Sequence, residues 1–202
     1  MVKSAGGSYT SPPNEAQLVR QAVAGDAAAF AQLYDTYIEA VYRFVYFRVS
    51  DDLTAEDLTS QVFLKVWDNL SRYENRRGGS FGAWLFRIAR NTVIDYYRTQ
   101  KKIMSQEPPD AARPDPAANV AHIVEHRLEM ERMRQMLHQL TDDQREVLTL
   151  KFINGLSTGE ISRILKKKQG AIRALQMRGL RALADFMGGD DEDKGGRRSD
   201  NG

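Results

Sequence analysis

Between Ser80 and Lys102, the aromatic residues Trp84, Phe86, Tyr96 and Tyr97 alternate with Arg87, Arg90, Arg98, Lys101 and Lys102. Cationic side chains neutralise phosphate and aromatic rings stack on unpaired bases, so this mixture suits a surface that holds a single nucleic-acid strand. The plain alternative is a core helix whose arginines snorkel to water. For this stretch in isolation the plain alternative is the better one, and the rest of the chain reverses the balance. A second basic set comprises Lys168, Gln169, Arg173, Arg178 and Arg181, directly after Lys166-Lys167. Arg and Lys suit guanine edges or phosphate, and Gln suits adenine. Its plain alternative is a helical hairpin with a solvated basic face.

Other chemistry finds little support. His122 and His126 have metal-ligand spacing on a helix, with Glu125, Glu129 or His138 as possible third ligands. There is no HExxH pattern and no Cys, so a metal site is disfavoured and no cofactor is expected. The acid pairs Glu56/Asp57 and Asp142/Asp143 fall in first helical turns, where the helix dipole accounts for them. No phosphate-cradling glycine loop or nucleophile elbow occurs, so an enzyme is disfavoured.

The elements that must position these groups are helical. Asn14 to Ala24 reads as a short amphipathic helix, broken and recapped at Gly25-Asp26. From Ala27 to Val49, the residues Phe30, Leu33, Tyr34, Tyr37, Ile38, Val41, Phe44, Val45 and Val49 follow one helical face. Thr54 is expected to cap a helix running to Leu70 that buries Leu58, Val62, Val66 and Leu70 or their neighbours. Ser80 is expected to cap the aromatic and basic helix. Residues 103–118 hold a cluster of prolines and read as an extended tether between two units. In the second unit, Val124, Leu128, Met133, Met136, Leu137 and Leu140 form the expected inward face of a first helix. Thr141-Asp142-Asp143-Gln144 and Ser157-Thr158-Gly159-Glu160 are capping boxes. The second box opens a short helix, then a lysine turn, then a longer helix from Gln169. That is a helix-turn-helix, whose second helix presents its N-terminal residues to base edges in the major groove.

The expected fold is therefore all-α, with two small helical domains joined by a flexible Pro-rich linker. The expected divisions are a disordered 1–13, a first domain 14–102, the linker 103–118, a helix-turn-helix domain 119–187 and a disordered tail 188–202. The 202 residues carry a net charge of only +2, but it is unevenly spread. Residues 14–70 have nine acids against four bases, and residues 71–102 have eight bases against two acids. Residues 103–126 are net −3 and 127–187 net +5. Two basic blocks suggest two contacts on a polyanion and leave a less basic face for another partner. The absence of Cys excludes disulfides and fits a reducing cytosol. No apolar run approaches the ~20 residues that span a bilayer, and the N-terminus lacks a secretory core, so the expected location is cytoplasmic without membrane insertion.

Asp57-Leu58, Phe63, Trp67 and FGAWLFRIARNTVIDYYR resemble the second conserved region of bacterial extracytoplasmic-function sigma factors. LTDDQREVLTLKFINGLSTGEISRIL followed by GAIRALQMRGLRAL resembles their fourth region. The resemblance covers Gln17–Lys102 and Arg127–Phe186, in the family's order. It implies a transcription initiation factor that binds core RNA polymerase, recognises promoter minus-thirty-five and minus-ten elements and promotes strand opening. It further implies that Asp57, Leu58, Gln61, Leu64 and Asp68 dock on the clamp coiled coil of the largest polymerase subunit, and that the flap is a second polymerase contact. Lys65, Tyr73, Ile88 and Asn91 would form a pocket for a flipped minus-ten base. Arg76, Arg77, Trp84, Arg87, Arg90 and Arg98 would contact that strand. Lys168, Gln169, Arg173 and Arg178 would face the minus-thirty-five duplex. An anti-sigma factor is the further partner that the resemblance implies.

Two departures from the family pattern bear on these roles. Ser60-Gln61 stands where the family usually has Gln-Glu, which removes a charge from the polymerase face; a phosphate on Thr59 or Ser60 would restore one. Lys166-Lys167-Lys168 stands where a glycine, an apolar residue and a serine are usual. A left-handed Lys costs on the order of 1 kcal/mol, the missing apolar plug loosens the turn, and the added charges strengthen phosphate attraction. Less selective, more salt-sensitive DNA binding is the expectation. Two other readings stay open at this point: a helix-turn-helix regulator that binds duplex DNA without polymerase, and an adaptor whose helices package against another protein.

Overall fold

Several of the helices begin where a side chain accepts orphan amides. The computed structural model describes residues 13–74, 80–104 and 121–192. Helix α1 (Glu15–Val23) ends at Ala24, and Gly25 turns the chain with φ +95°. The Asp26 carboxylate accepts from Ala28 and Ala29 and so starts α2 (Ala27–Tyr46). Helix α3 (Asp52–Leu70) starts two residues before the expected Thr54, because Asp51 is the acceptor and Thr54 supplies the amide, at 2.8 Å. Ser80 caps α4 (Phe81–Met104) as expected, accepting from the Ala83 amide at 3.1 Å.

In the second unit α5 (Ala121–His138) leads to α6 (Asp142–Leu148), which starts in the expected Thr141 capping box. The sequence reads as one helix to Phe152, whereas the structure has α6 give way to a π-helical turn, Thr149–Ile153. The turn widens the helix by one residue and sets the Asn154 side chain inward. Gly155 follows with φ +68°. Helix α7 (Thr158–Leu165) has the expected Ser157 capping box, and α8 (Gln169–Glu192) runs past Gly188. The fold is all-α, with no strand among the described residues. The expectations for 1–12, for 105–118 of the linker and for the tail beyond Glu192 lie outside the described residues.

The core is built on α2. Tyr37, Val41, Phe44, Val45 and Phe47 are fully buried, and α3 adds Val62 and Val66 while α4 adds Leu85, Phe86 and Val93. Edge-on ring pairs key the layers together, Phe44 on Phe86 at 5.7 Å and Tyr37 on Phe81 at 5.4 Å. Leu150, Ile161 and Ile172 centre the second unit. The buried apolar residues of both units form one continuous cluster. The inward face expected of α5 holds only at its end: Leu137 and Leu140 are buried, but Leu128 and Met133 are exposed.

The two units meet through a network of polar contacts. Asn154 Nδ2 donates to the Ala40 carbonyl of α2 at 2.8 Å, both groups being buried. Tyr46 donates to Glu131 at 3.3 Å, with the Arg134 guanidinium 4.6 Å from its ring centroid. Arg134 also reaches Asp52 at 3.4 Å. Burial of the Tyr46 hydroxyl, together with Asp52 and Glu131, pushes its pKa up to about 12, so it stays a donor.

Candidate nucleic-acid interface

The periodicity of α4 divides its residues as amphipathic helices require. Leu85, Phe86, Ala89 and Val93 turn inward, Arg87, Asn91 and Arg98 are exposed, and Trp84, Ile88 and Arg90 are half-buried. Tyr73 packs edge-on against Trp84 at 4.9 Å and Phe81 at 5.6 Å. Burial raises the Tyr73 pKa, with Glu15 adding to the shift, so the phenol is neutral at ordinary pH. A cavity of about 400 Å³ opens beside this aromatic group. Arg72, Tyr73, Glu74, Ser80, Trp84, Arg87 and, from α7, Arg163 line it.

This cavity gathers only part of the residue set expected to hold a flipped base. Tyr73 lines it, but Lys65, Ile88 and Asn91 do not. Lys65 instead reaches across from α3 to Thr92, donating at 3.2 Å, and lies 4.0 Å from Asp95. Arg76 and Arg77 lie outside the described residues. Arg90 meets a carboxylate: its Nε is 3.0 Å from Glu146 Oε1 of α6. The same oxygen lies 2.6 Å from Arg48 Nη1, with Glu146 4% and Arg48 9% exposed at their side chains. These contacts are close in distance but lack hydrogen-bond alignment. They form an ionic triad, buried at Glu146 and Arg48 and partly exposed at Arg90, which holds position more than it stabilises.

Helix α3 presents a separate surface. Asp57, Gln61, Leu64 and Asp68 recur on its solvent side, and Leu64 is 65% exposed. Leu58 does not join them, because at 3% exposure it belongs to the core. Leu53 and Trp67, which the expected docking set omits, add further exposed apolar area on the same helix. Trp67 is held edge-on by Phe30 at 4.7 Å. Thr59 is buried with its hydroxyl donating to the Ala55 carbonyl, so a phosphate does not fit there, whereas Ser60 is exposed.

The start of α8 is open to solvent, with Lys168, Gln169, Arg173 and Arg178 all exposed. Lys166 takes the left-handed conformation expected of the turn, φ 53° and ψ 36°. Lys167 corrects the expectation of a loosened turn with surplus charge. Its Nζ lies 2.8 Å from Asp143, its amide donates to Ser162 O, and its own carbonyl accepts from Ser162 Oγ at 2.6 Å. The turn is therefore tied down, and one of the extra charges is paired.

The residues that sequence reasoning passed over are Arg48, Glu146, Asn154 and Arg163, together with a second role for the capping residue Glu160. Glu160 Oε1 accepts from Ser80 Oγ at 2.5 Å, which joins the start of α7 to the start of α4. A signal existed for Glu146 and Asn154, since both fall in phase with buried Leu150 on an otherwise apolar face. No group of residues able to hold a metal ion occurs among the described residues.

Residues 33–103 match the family described as Sigma-70 region 2, and residues 130–183 match Sigma-70, region 4. Over 176 residues the chain is 38% identical to the ECF RNA polymerase sigma factor BldN of Streptomyces coelicolor, covering 85% of this chain and 65% of that protein. Over 193 residues it is 33% identical to the ECF RNA polymerase sigma factor SigX of Bacillus subtilis, covering 86% of this chain and 94% of that one. Among solved structures, CnrH in complex with the cytosolic domain of CnrY is similar, with a TM-score of 0.68 and 26% identity over 86% of this chain and 97% of that chain.

Proposed function

This chain belongs to the extracytoplasmic-function RNA polymerase sigma factors, and from that premise we propose that three of its surfaces divide the work of promoter opening. The exposed stripe Asp57, Gln61, Leu64 and Asp68 on α3, extended by Leu53 and Trp67, docks on the clamp coiled coil of core polymerase. Tyr73, Trp84, Arg87, Arg90, Asn91 and Arg98 receive the unpaired minus-ten strand, with Lys65 alongside. Lys168, Gln169, Arg173 and Arg178 read the minus-thirty-five duplex. A strand can be held by stacking and phosphate pairing, while a duplex requires a helix that enters the groove. No catalytic residue or cofactor is assigned.

The observation that carries this reading is the separation of exposed chemistry. The α3 stripe is acidic and apolar, the α4 face is basic and aromatic, and the α8 start is basic on a capped helix-turn-helix. A lone duplex-binding regulator has no use for the first two. No helix among the described residues is long and apolar enough to cross a membrane, and the proposed place of action is the cytoplasm. CnrH is solved with the cytosolic domain of CnrY; an anti-sigma factor is the corresponding partner proposed for this chain.

Run-off transcription from a promoter library with purified core polymerase, with and without this chain, tests the reading. Chain-dependent transcripts are expected, and Leu64→Ala should reduce them by weakening assembly rather than DNA contact. Tight binding of the chain alone to a duplex site, with no polymerase-dependent transcript, would replace this reading with that of the regulator.

A further inference from the structure

We propose that Met177 reads the 5-methyl group of a thymine in the minus-thirty-five duplex, as the apolar member of a mixed reading face on α8. The proposal rests on the assignment of α8 to the minus-thirty-five element. Gln169, Arg173 and Met177 are spaced four apart, so they stack along one side of α8. All three are exposed, and Met177, at 66%, is more exposed than any other large apolar side chain among the described residues. Gly170 and Ala174 fall on the same side and are exposed too. On the opposite side Ile172 and Leu175 are buried, and Gly179 abuts Leu148 of α6.

An exposed methionine alone says little. Its place says more, because it continues the line of the two polar readers. A helix-turn-helix presents the start of its second helix to base edges. From Gln169 to Met177 the helix rises about 12 Å, which matches the roughly 12 Å width of the major groove. A helix that inserts its start therefore brings Met177 to the far side of the same groove. Gly170 lies between Gln169 and Arg173, and a Cβ there would meet nothing within 4 Å. The packing of the protein does not call for a glycine at that place, whereas close approach of the backbone to DNA does. Inside the groove, Arg173 suits guanine and Gln169 suits adenine, and the apolar feature left to read is the thymine methyl. Methionine is long, unbranched and polarizable, so it can reach that methyl and adapt to it.

The experiment uses the full chain bound to core polymerase. A promoter library randomised over the minus-thirty-five element is selected for binding. The selected duplex is then remade with deoxyuridine, which lacks the methyl, in place of thymine at one position at a time. In the parent, one such replacement should weaken binding roughly fourfold, the weight of one buried methyl group. Met177→Ala should bind the thymine duplex as weakly as the parent binds the deoxyuridine duplex, and should no longer distinguish the two. Met187→Ala, at a residue 64% exposed but ten positions further along α8, should keep the parent's discrimination. Gly170→Ala should not lower the urea midpoint and should weaken both duplexes alike. The proposal alone is overturned by a parent indifferent to deoxyuridine at every position, by a selected element without a T·A pair, or by discrimination that Met177→Ala keeps or that Met187→Ala loses equally. A Gly170→Ala variant that binds both duplexes as the parent does overturns it too, since close seating of α8 is what brings Met177 to the base. A library that yields no preferred element overturns the assignment of α8, and the proposal with it.

Discussion

At the scale of single residues, Lys166 is the non-glycine residue that takes a positive φ among those described. A left-handed L-residue costs roughly 1–2 kcal/mol, and glycine removes that cost while giving back some backbone entropy in the unfolded chain. Lys166→Gly should therefore stabilise the protein by about 0.5–1 kcal/mol, seen as a higher urea midpoint at unchanged slope. The strain at Lys166 was legible, because a turn of this motif demands the conformation and the sequence puts a lysine in it. The role of Lys167 was not, since its partner Asp143 lies 24 residues away in the chain. Leu58 shows the same limit: its spacing fitted both the core and the docking stripe, and only the packing of α3 on α2 decided for the core. Glu160 illustrates a residue whose titration reports its setting. Burial raises its pKa, but hydrogen bonds from Ser80 and Ser157 and the charge of Arg163 outweigh burial, and the folded value lies below the ordinary 4.5. A carboxyl depressed in the folded state contributes stability above its unfolded pKa and loses it as pH falls through the folded value. The difference in melting temperature between parent and Glu160→Gln should hold above about pH 5 and shrink below the ordinary carboxylate range.

Element by element, the caps and apolar periods specified most of the helices, and the departures have local causes. Asp51 takes the capping role expected of Thr54 because its carboxylate, three residues earlier, accepts from the Thr54 amide and places Thr54 inside the first turn of α3. The π-helical turn at Thr149–Ile153 left no mark that a 3.6-residue period could show, since it serves a contact with α2 rather than α6 itself. Helix α5 misled because its apolar residues Leu128 and Met133 look inward by spacing but find nothing to cover them among the described residues. Where α6 and α8 cross, Gly179 permits the approach. A Cβ there would meet Leu148 Cδ1 at 3.0 Å and Cγ at 3.2 Å. Alanine at a mid-helix glycine normally gains about 1 kcal/mol from helix propensity, whereas overpacking a tight contact costs about 1–3 kcal/mol. Leu148 is buried and has little room to move, so the second effect should win. Gly179→Ala is expected to lower stability by roughly 1 kcal/mol net in chemical denaturation, with a gain in helicity too small to offset it.

For the whole molecule, the sequence suggests two units on a tether, and the described residues show those units sharing one buried cluster. The proline-rich composition of residues 103–118 tells how the units are joined in the chain, and says nothing of whether they pack. What decides packing is scattered over distant positions. Val45 lies in the last turn of α2 and Phe47 and Val49 just after it, Leu137, Leu140 and Leu150 lie in the second unit, and all are buried in that common cluster. The ionic triad and the Asn154 contact add direction to this apolar union without adding much net energy, because buried ion pairs roughly repay their desolvation. Cooperativity should follow. Domains that only touch unfold in separate steps, whereas units sharing a core unfold together, since opening one exposes apolar surface of the other. Calorimetry of the parent should give one transition with calorimetric and van't Hoff enthalpies in agreement. Arg48→Ala leaves Glu146 buried beside a single guanidinium and weakens the junction at its charged centre. In that variant the excess heat should broaden or split, with the helix-turn-helix unit and the α2-centred unit melting at different temperatures. A parent that already melts in two steps would mean that the shared cluster does not couple the units, and that their contact is a weak docking of independent domains.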